Sequence, residues 1–109
     1  MSSTPWTIVI SDEVAKWYLG LKPVDRQVVD RMLWLLATQG NALRMPHSRS
    51  LGQGLFELRF AIMRATVEQR ITYMFDVGRK AITLTTFRKT KESEAQEISR
   101  ARKAKEGLG

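Results

Sequence analysis

Apolar residues in the first part of the chain recur at the spacing of α-helices. A short β-branched run at residues 6–10 (WTIVI) ends at Ser11, where acidic residues follow and suit the positive end of a helix. A second helical pattern begins near Pro23, keeps its apolar side chains along one side and ends at Gly40. The pattern predicts a strand followed by two antiparallel helices. The tryptophans expected in the core are Trp6, Trp17 and Trp34.

Three later segments alternate between apolar and polar positions, as strands with one buried face do. They cover residues 55–60, 67–76 and 80–89, and residues 41–54 before them, which lack any period, are expected to form a loop. The positions expected to face the core are Phe56, Leu58, Phe60, Ile71, Tyr73, Phe75, Ile82 and Leu84. The positions that alternate with these face away from the core and include one cation on each strand. These cations are Arg59, Arg70 and Lys89.

A final helix is predicted to begin around Ser93, which has capping-box spacing to Gln96, and to run to about Glu106. Its apolar side is thin, so we expect it to pack loosely. The order β-α-α-β-β-β-α predicts an α+β fold with a small, mostly antiparallel sheet, one face covered by helices and the other partly open. A chain of 109 residues is expected to form one domain, residues 1–109.

The positive charge of the chain is concentrated between residues 44 and 91. This stretch holds ten lysines and arginines against three acidic residues, and the difference equals the formal net charge of +7. A concentrated basic surface indicates a polyanionic partner, and nucleic acid is the commonest one. The chain has no cysteine and one histidine, so we expect no disulfide, no metal site and no cofactor. No signal-like or membrane-spanning run is evident, which predicts a cytoplasmic protein without a membrane partner.

A face that carries Arg59, Arg70 and Lys89 could hold phosphate oxygens, because guanidinium groups bind them bidentately. RNA cleavage also needs a base for the 2′-hydroxyl and an acid for the leaving oxygen. His47, in the basic loop, is a candidate for proton transfer, although a lone loop histidine is more often a bystander. Arg59 could instead form an ordinary ion pair with Glu57 or Glu68.

Three blocks carry a family resemblance: LGQGLFELRF at 51–60, QRITYMF at 69–75, and ITLTTFRKTKESEAQEISRARK at 82–103. Together they resemble the HigB-like branch of the RelE/ParE toxin superfamily. The resemblance implies a RelE-like fold with two N-terminal helices packed on a small antiparallel sheet. It also implies a type II toxin that acts as a ribosome-dependent, metal-independent mRNA endoribonuclease and is silenced by a cognate antitoxin, of acidic or helix-turn-helix type. Operator DNA would then be contacted only through the antitoxin.

The resemblance also assigns roles to residues. The residues that would bind and activate the scissile phosphate are Arg59, Arg70 and Lys89. The residues expected to contact ribosomal or messenger RNA, by resemblance or by charge, are His47, Arg49, Arg64, Arg88 and Lys91. Two positions before Arg59, where relatives often have a basic residue, this chain has Glu57, and it lacks the C-terminal histidines of some relatives.

Two other functions are compatible with the same residues. ParE-like members of the superfamily poison DNA gyrase and do not cleave RNA. A non-catalytic RNA-binding protein could use the same basic surface through counterion release.

Overall fold

The computed structural model describes residues 5–108. The elements, in chain order, are β1 (Thr7–Val9), α1 (Asp12–Leu19), α2 (Pro23–Gln39), a short 3-10 helix (Gly40–Ala42), β2 (Ser48–Gly52), β3 (Leu55–Ile62), β4 (Val67–Asp76), β5 (Lys80–Arg88) and α3 (Glu94–Leu108). The strands form one sheet in the order β1-β5-β4-β3-β2. Strand β1 pairs with β5 in parallel and the other pairs are antiparallel, so the predicted α+β fold with a mostly antiparallel sheet is confirmed.

Helices α1 and α2 cover the first face of the sheet and form the larger core with it. The Ser11 hydroxyl caps α1 by accepting a hydrogen bond from the Val14 backbone N–H (3.3 Å), and Pro23 stands at the start of α2, as the sequence indicates. The buried residues at the centre of this core include Val14, Val29, Leu36, Leu58, Ile71 and Tyr73. The predicted parity of β3 and β4 is therefore correct.

The second face of the sheet is covered in part by α3, which packs on a smaller apolar cluster. This cluster contains Leu55, Leu84 and Ala101, with Ile82 and Ile98 packed against it. Sequence parity was expected to place Ile82 and Leu84 on the same core as Ile71 and Tyr73, and that expectation is wrong. The register of β5 against β4 shifts between Ile71 and Tyr73. A shift in pairing moves side chains to the opposite face of a sheet, which explains the difference.

Two other expectations from the sequence are corrected by the structure. The predicted loop at residues 41–54 contains the edge strand β2, whose one buried residue is Ser48. A strand without apolar residues on its buried side gives no hydrophobic alternation, so the pattern could not reveal it. Trp34, expected in the core, is 62% exposed on α2, whereas Trp6 and Trp17 are partly buried.

Polar contacts anchor α3 in addition to its thin apolar side. The Arg100 guanidinium donates to both carboxylate oxygens of Glu13 on α1, at 2.5 and 2.9 Å, and Arg102 donates to the Leu51 carbonyl at 2.7 Å. Although burial alone raises the pKa of Glu13, hydrogen bonds from Arg100 and the Thr86 backbone outweigh it and lower that pKa. Helix α3 is therefore tied to α1 through Arg100 and to the edge strand β2 through Arg102. Among residues 5–108, no helix is long and apolar enough to cross a membrane.

Strand β2 is attached to the core by a hydrogen bond between two buried hydroxyls, those of Ser48 and Tyr73. We expect Tyr73→Phe to lower the free energy of unfolding by about 1–3 kcal/mol, because it leaves the Ser48 hydroxyl buried without a partner. Ser48→Ala should act similarly, and the double variant should lose less than the sum of the two. Urea unfolding measures all three. Ser50→Ala, at an exposed position of β2, is the matched control and should change stability by at most about 0.5 kcal/mol. Additive losses in the double variant would contradict the coupling.

Candidate functional site

Cations from β3, from β4 and from the residue that follows β5 lie on the second face, beyond the part that α3 covers. In the sheet register Arg59 on β3 lies directly opposite Arg70 on β4, and Arg70 lies opposite Phe87 on β5. The Lys89 backbone N–H continues this ladder by donating to the Glu68 carbonyl at 2.8 Å. Because side chains alternate between faces, Lys89 shares the side of Arg59 and Arg70. The structure thus brings the three cations together on the same face, as the sequence predicted.

The three cations differ in how accessible they are. The Arg70 side chain is only 3% exposed, whereas that of Arg59 is 22% exposed and Lys89 lies at the surface. Arg70 donates to the Gln69 carbonyl at 3.0 Å, and its guanidinium is paired with the Glu68 carboxylate at 3.3 Å. The sequence predicted an accessible Arg70 on the polar face; in the structure its side chain lies on that face but is buried. Direct contact with a bound phosphate would therefore fall to Arg59 and Lys89.

Glu57 lies at the centre of this arrangement and is 1% exposed. Its Oε2 atom is 3.8 Å from Nε of Arg70 and 4.0 Å from Nη1 of Arg59, while its Oε1 atom has no hydrogen-bond partner among the described residues. Burial raises the pKa of the Glu57 carboxyl, and the positive charges of Arg70, Arg59 and Arg49 offset that rise only in part. Sequence parity had placed Glu57 on an exposed face, so its burial is a finding of the structure. The sequence signal at this position was that Glu57 stands where relatives often have a basic residue.

Buried hydroxyls close the inner side of the site. Thr72 lies opposite Glu57 in the register, and its Oγ1 is 2.6 Å from Oγ1 of Thr85 on β5. The Thr72 hydroxyl also accepts a hydrogen bond from the Thr85 backbone N–H at 3.0 Å. The two threonines and Phe87 are buried next to Glu57 and Arg70 in the sheet. Sequence analysis did not single out the threonines, because a threonine in a strand is compatible with either face.

Strand β2 and its preceding turn add further charges at one edge of the site. Arg49 lies opposite Glu57 in the register, is 50% exposed and pairs with Glu94, the first residue of α3, at 3.7 Å. The exposed His47 accepts a hydrogen bond from the Arg59 backbone N–H at its carbonyl (2.9 Å), so the two residues are neighbours in the sheet. The Nη1 group of Arg59 also contacts Sδ of Met45 at 3.7 Å. The predicted residues His47 and Arg49 therefore lie at the site.

The other predicted RNA-binding residues are more dispersed. Arg64 occupies the turn between β3 and β4, beyond the end of β3 at Ile62, and is therefore separated from Arg59 along the strand. Arg88 lies opposite Gln69 in the register, so it is on the other side of the sheet from Lys89. Lys91 is exposed in the turn that leads to α3. We name the exposed cations at the site (Arg49, Arg59 and Lys89) together with the buried Arg70 the cationic face.

No group of three or more histidine, aspartate or glutamate side chains that could hold a metal ion occurs within residues 5–108. The charged groups nearest Glu57 are instead arginines. The site can thus place positive charge around a phosphate from several directions, with the Glu57 carboxyl among the arginines and His47 in the adjoining turn.

Comparisons with known proteins agree with this architecture. Residues 16–106 match the family described as Phage derived protein Gp49-like (DUF891). A mutant of the E. coli toxin RelE in the free state superposes with a TM-score of 0.64 at 10% identity, covering 96% of this chain and 99% of RelE. The RelBE2 toxin-antitoxin complex of Mycobacterium tuberculosis gives a TM-score of 0.51 at 14% identity, covering 78% of this chain and 99% of the matched chain. No curated protein matches at a significant level. The chain belongs to the Gp49-like family of phage-derived proteins, and its fold is the one seen in RelE toxins.

Proposed function

We propose that this protein is the toxin of a type II toxin-antitoxin system, of the HigB-like kind, and that it cleaves mRNA in a ribosome-dependent reaction. The observation that carries the proposal is the convergence of Arg59, Arg70 and Lys89 from three strands onto one face of a RelE-like fold. A fold by itself hosts many functions, so the proposal depends on this face.

The chemistry assigned to the cationic face is stabilisation of the charge that develops on the scissile phosphate. Arg59 and Lys89 are accessible and bind the phosphate oxygens, while Arg70 adds positive charge from below. His47 is exposed, its backbone carbonyl accepts the Arg59 N–H, and it is the group assigned to proton transfer with the RNA, since an imidazole can act as an acid or as a base. The reaction needs no metal in this scheme.

The remaining cations extend the surface available to RNA. Arg49, at the β2 edge of the cationic face, and Lys91, in the turn that leads to α3, are assigned to messenger or ribosomal RNA near the cleavage site. Arg64 and Arg88, which lie apart from it, are assigned to more distant RNA contacts. These contacts supply affinity through the release of counterions and do not require base recognition.

The partner proposed for this toxin is a cognate antitoxin, and the toxin would act in the cytoplasm, where ribosomes are found. A toxin-antitoxin complex is among the structures that share the fold. Large apolar side chains are exposed on α1 and α2, where such a partner could bury them. They are Leu19, Val24 and Trp34. A helix-turn-helix antitoxin would also connect the toxin to operator DNA.

The proposal predicts that Arg59→Ala abolishes mRNA cleavage in cells. After brief induction, 5′-end mapping should find new ends within codons for the wild type and none for the variant, because the accessible cation at the phosphate is lost. Arg31→Ala, which removes an equal charge from the exposed surface of α2, is the matched control and should cleave like the wild type. Growth is followed in parallel.

Two outcomes of this experiment would count against the proposal. If growth stops while mRNA stays intact, the nuclease function fails, and DNA supercoiling becomes the assay for a gyrase poison. If the wild type changes neither growth nor mRNA, the protein is an RNA-binding module or an inactive toxin.

A second prediction concerns Lys89 and Arg88, which lie on opposite sides of the sheet and should contribute differently to RNA binding. Lys89→Ala should weaken binding of the purified protein to a single-stranded oligonucleotide and reduce the slope of log affinity against log salt by about 1. Arg88→Ala changes the neighbouring residue on the other side of the sheet and should have a smaller effect. Fluorescence anisotropy at several salt concentrations measures both. Equal losses of affinity in the two variants would contradict the assignment of the RNA-binding surface to the side of the sheet that carries Lys89.

A further inference from the structure

We propose that Glu57 is a positioning residue that holds the guanidinium groups of Arg59 and Arg70 and competes with a bound phosphate for them, so that phosphate binding is coupled to uptake of a proton by Glu57. The identity of the phosphate as RNA rests on the proposed function. The coupling itself rests on the geometry of the cationic face.

The first step of the argument is the position of Glu57 inside the cationic face. Its carboxyl is buried between strands, with Oε2 within 4.0 Å of guanidinium nitrogens from both β3 and β4. On the β2 side it faces Arg49 across the register. A carboxylate in this position attracts the guanidiniums towards it and limits the directions in which they can point.

The second step is that the carboxylate form of Glu57 lacks the hydrogen bonds that a buried charge needs. Neither contact of Oε2 is within hydrogen-bond distance, and Oε1 has no hydrogen-bond partner among the described residues. A buried carboxylate oxygen without a partner is costly, and the cost falls when that oxygen takes up a proton, because a neutral carboxyl is easier to bury than a charged one. Oε1 is therefore the atom at which we place the proton. The charged groups that act on Glu57 from the surrounding strands and α3 are Arg70, Arg59, Arg49 and Glu94. Glu68 is paired with Arg70, and His47 contacts Arg59 through the backbone.

The third step is the effect of a second anion. The Arg59 guanidinium is partly exposed, and its hydrogen bond among the described residues is to the sulfur of Met45, which is a weak acceptor. A phosphate arriving from solvent can therefore recruit Arg59, and it places a like charge close to Glu57. Both effects disfavour the carboxylate form. Glu57 then takes one proton from solvent, and no covalent bond changes.

This coupling distinguishes Glu57 from a structural ion pair. A carboxylate with a purely structural role stays charged and keeps the same pKa whether or not a phosphate is present. If protonation favours phosphate binding, then by linkage phosphate binding must raise the pKa of Glu57 by the corresponding amount. The direction is fixed, because binding adds negative charge and withdraws positive charge.

The coupling is tested by following the Glu57 carboxyl carbon by NMR through a pH titration of the wild-type protein, free and saturated with a short all-deoxy oligonucleotide. This ligand lacks the 2′-hydroxyl, so it carries the phosphates but cannot be cut by attack of that group. We expect the pKa of Glu57 to rise by about one unit, equivalent to about tenfold tighter binding by the protonated form. The exposed Glu106 near the end of α3 is the internal control and should not move. A pKa of Glu57 that is the same in both samples, or an oligonucleotide that does not bind, overturns the proposal.

A second measurement follows oligonucleotide affinity between about pH 5 and about pH 8. The comparison is made in a His47→Gln background, because protonation of His47 would also strengthen binding as the pH falls. With Glu57 present, affinity should increase as the pH decreases. In the His47→Gln/Glu57→Gln double variant it should be nearly independent of pH and about tenfold higher at neutral pH. The same pH dependence in both proteins counts against the coupling.

The two experiments separate this proposal from the nuclease function. Neither uses ribosomes or cleavage, so a protein that shows the coupling but leaves cellular mRNA intact would retain the Glu57 role and lose the proposed activity. If cleavage depends on Arg59 but the pKa of Glu57 does not change on binding, the nuclease function is retained and the proposed role of Glu57 is lost. If Glu57→Gln does not fold, the NMR titration still decides the question, because it needs no variant.

Discussion

Arg59 and Arg70 lie directly opposite one another across the β3–β4 ladder. This pairing of like charges requires an anion nearby, and the carboxylate of Glu57 supplies it. Like charges at directly opposed positions destabilise a sheet. Glu57 lies on the same side of β3 as Arg59 and two residues before it, which places its carboxyl within 4.0 Å of both guanidinium groups. Removing one member of such a buried group would leave the others uncompensated. The sheet register thus determines which charges must be buried together.

Helix α3 determines how much of the second face remains open. It covers the apolar end of that face, around Leu55 and Leu84, and its first residue, Glu94, reaches Arg49. Arg59 and the end of β5 extend beyond it. The helix has little apolar surface of its own, and its contacts to Glu13 and to the Leu51 carbonyl compensate for this. The accessible part of the cationic face is consequently the part that the helix leaves uncovered.

The similarity to RelE shows which features are shared and which belong to this chain. At 10% identity the two chains have few side chains in common, yet nearly the whole of each superposes. Such a fold can be maintained by the pattern of buried positions, which many sequences satisfy. The buried carboxyl of Glu57 among arginines is a property of these particular residues. Inferences about chemistry therefore have to start from them and not from the fold.

The sequence by itself determined most of the elements and the side of the sheet on which Arg59, Arg70 and Lys89 lie. These properties follow from the periods of strands and helices, which are local and can be read along the chain. The predicted capping of α1 and the core parity of β3 and β4 have the same origin.

Only the tertiary structure decided the remaining features, because each depends on contacts between distant segments. Strand β2 is recognised by its pairing with β3 and by the hydrogen bond between Ser48 and Tyr73, neither of which leaves a hydrophobic period. The shifted register of β5 moved Leu84 to the second face, where Ala101 of α3 covers it. Burial of Arg70 and Glu57 likewise depends on the strands and helix packed around them. A sequence specifies which faces a strand has, whereas the exposure of a charge on that face depends on what packs over it.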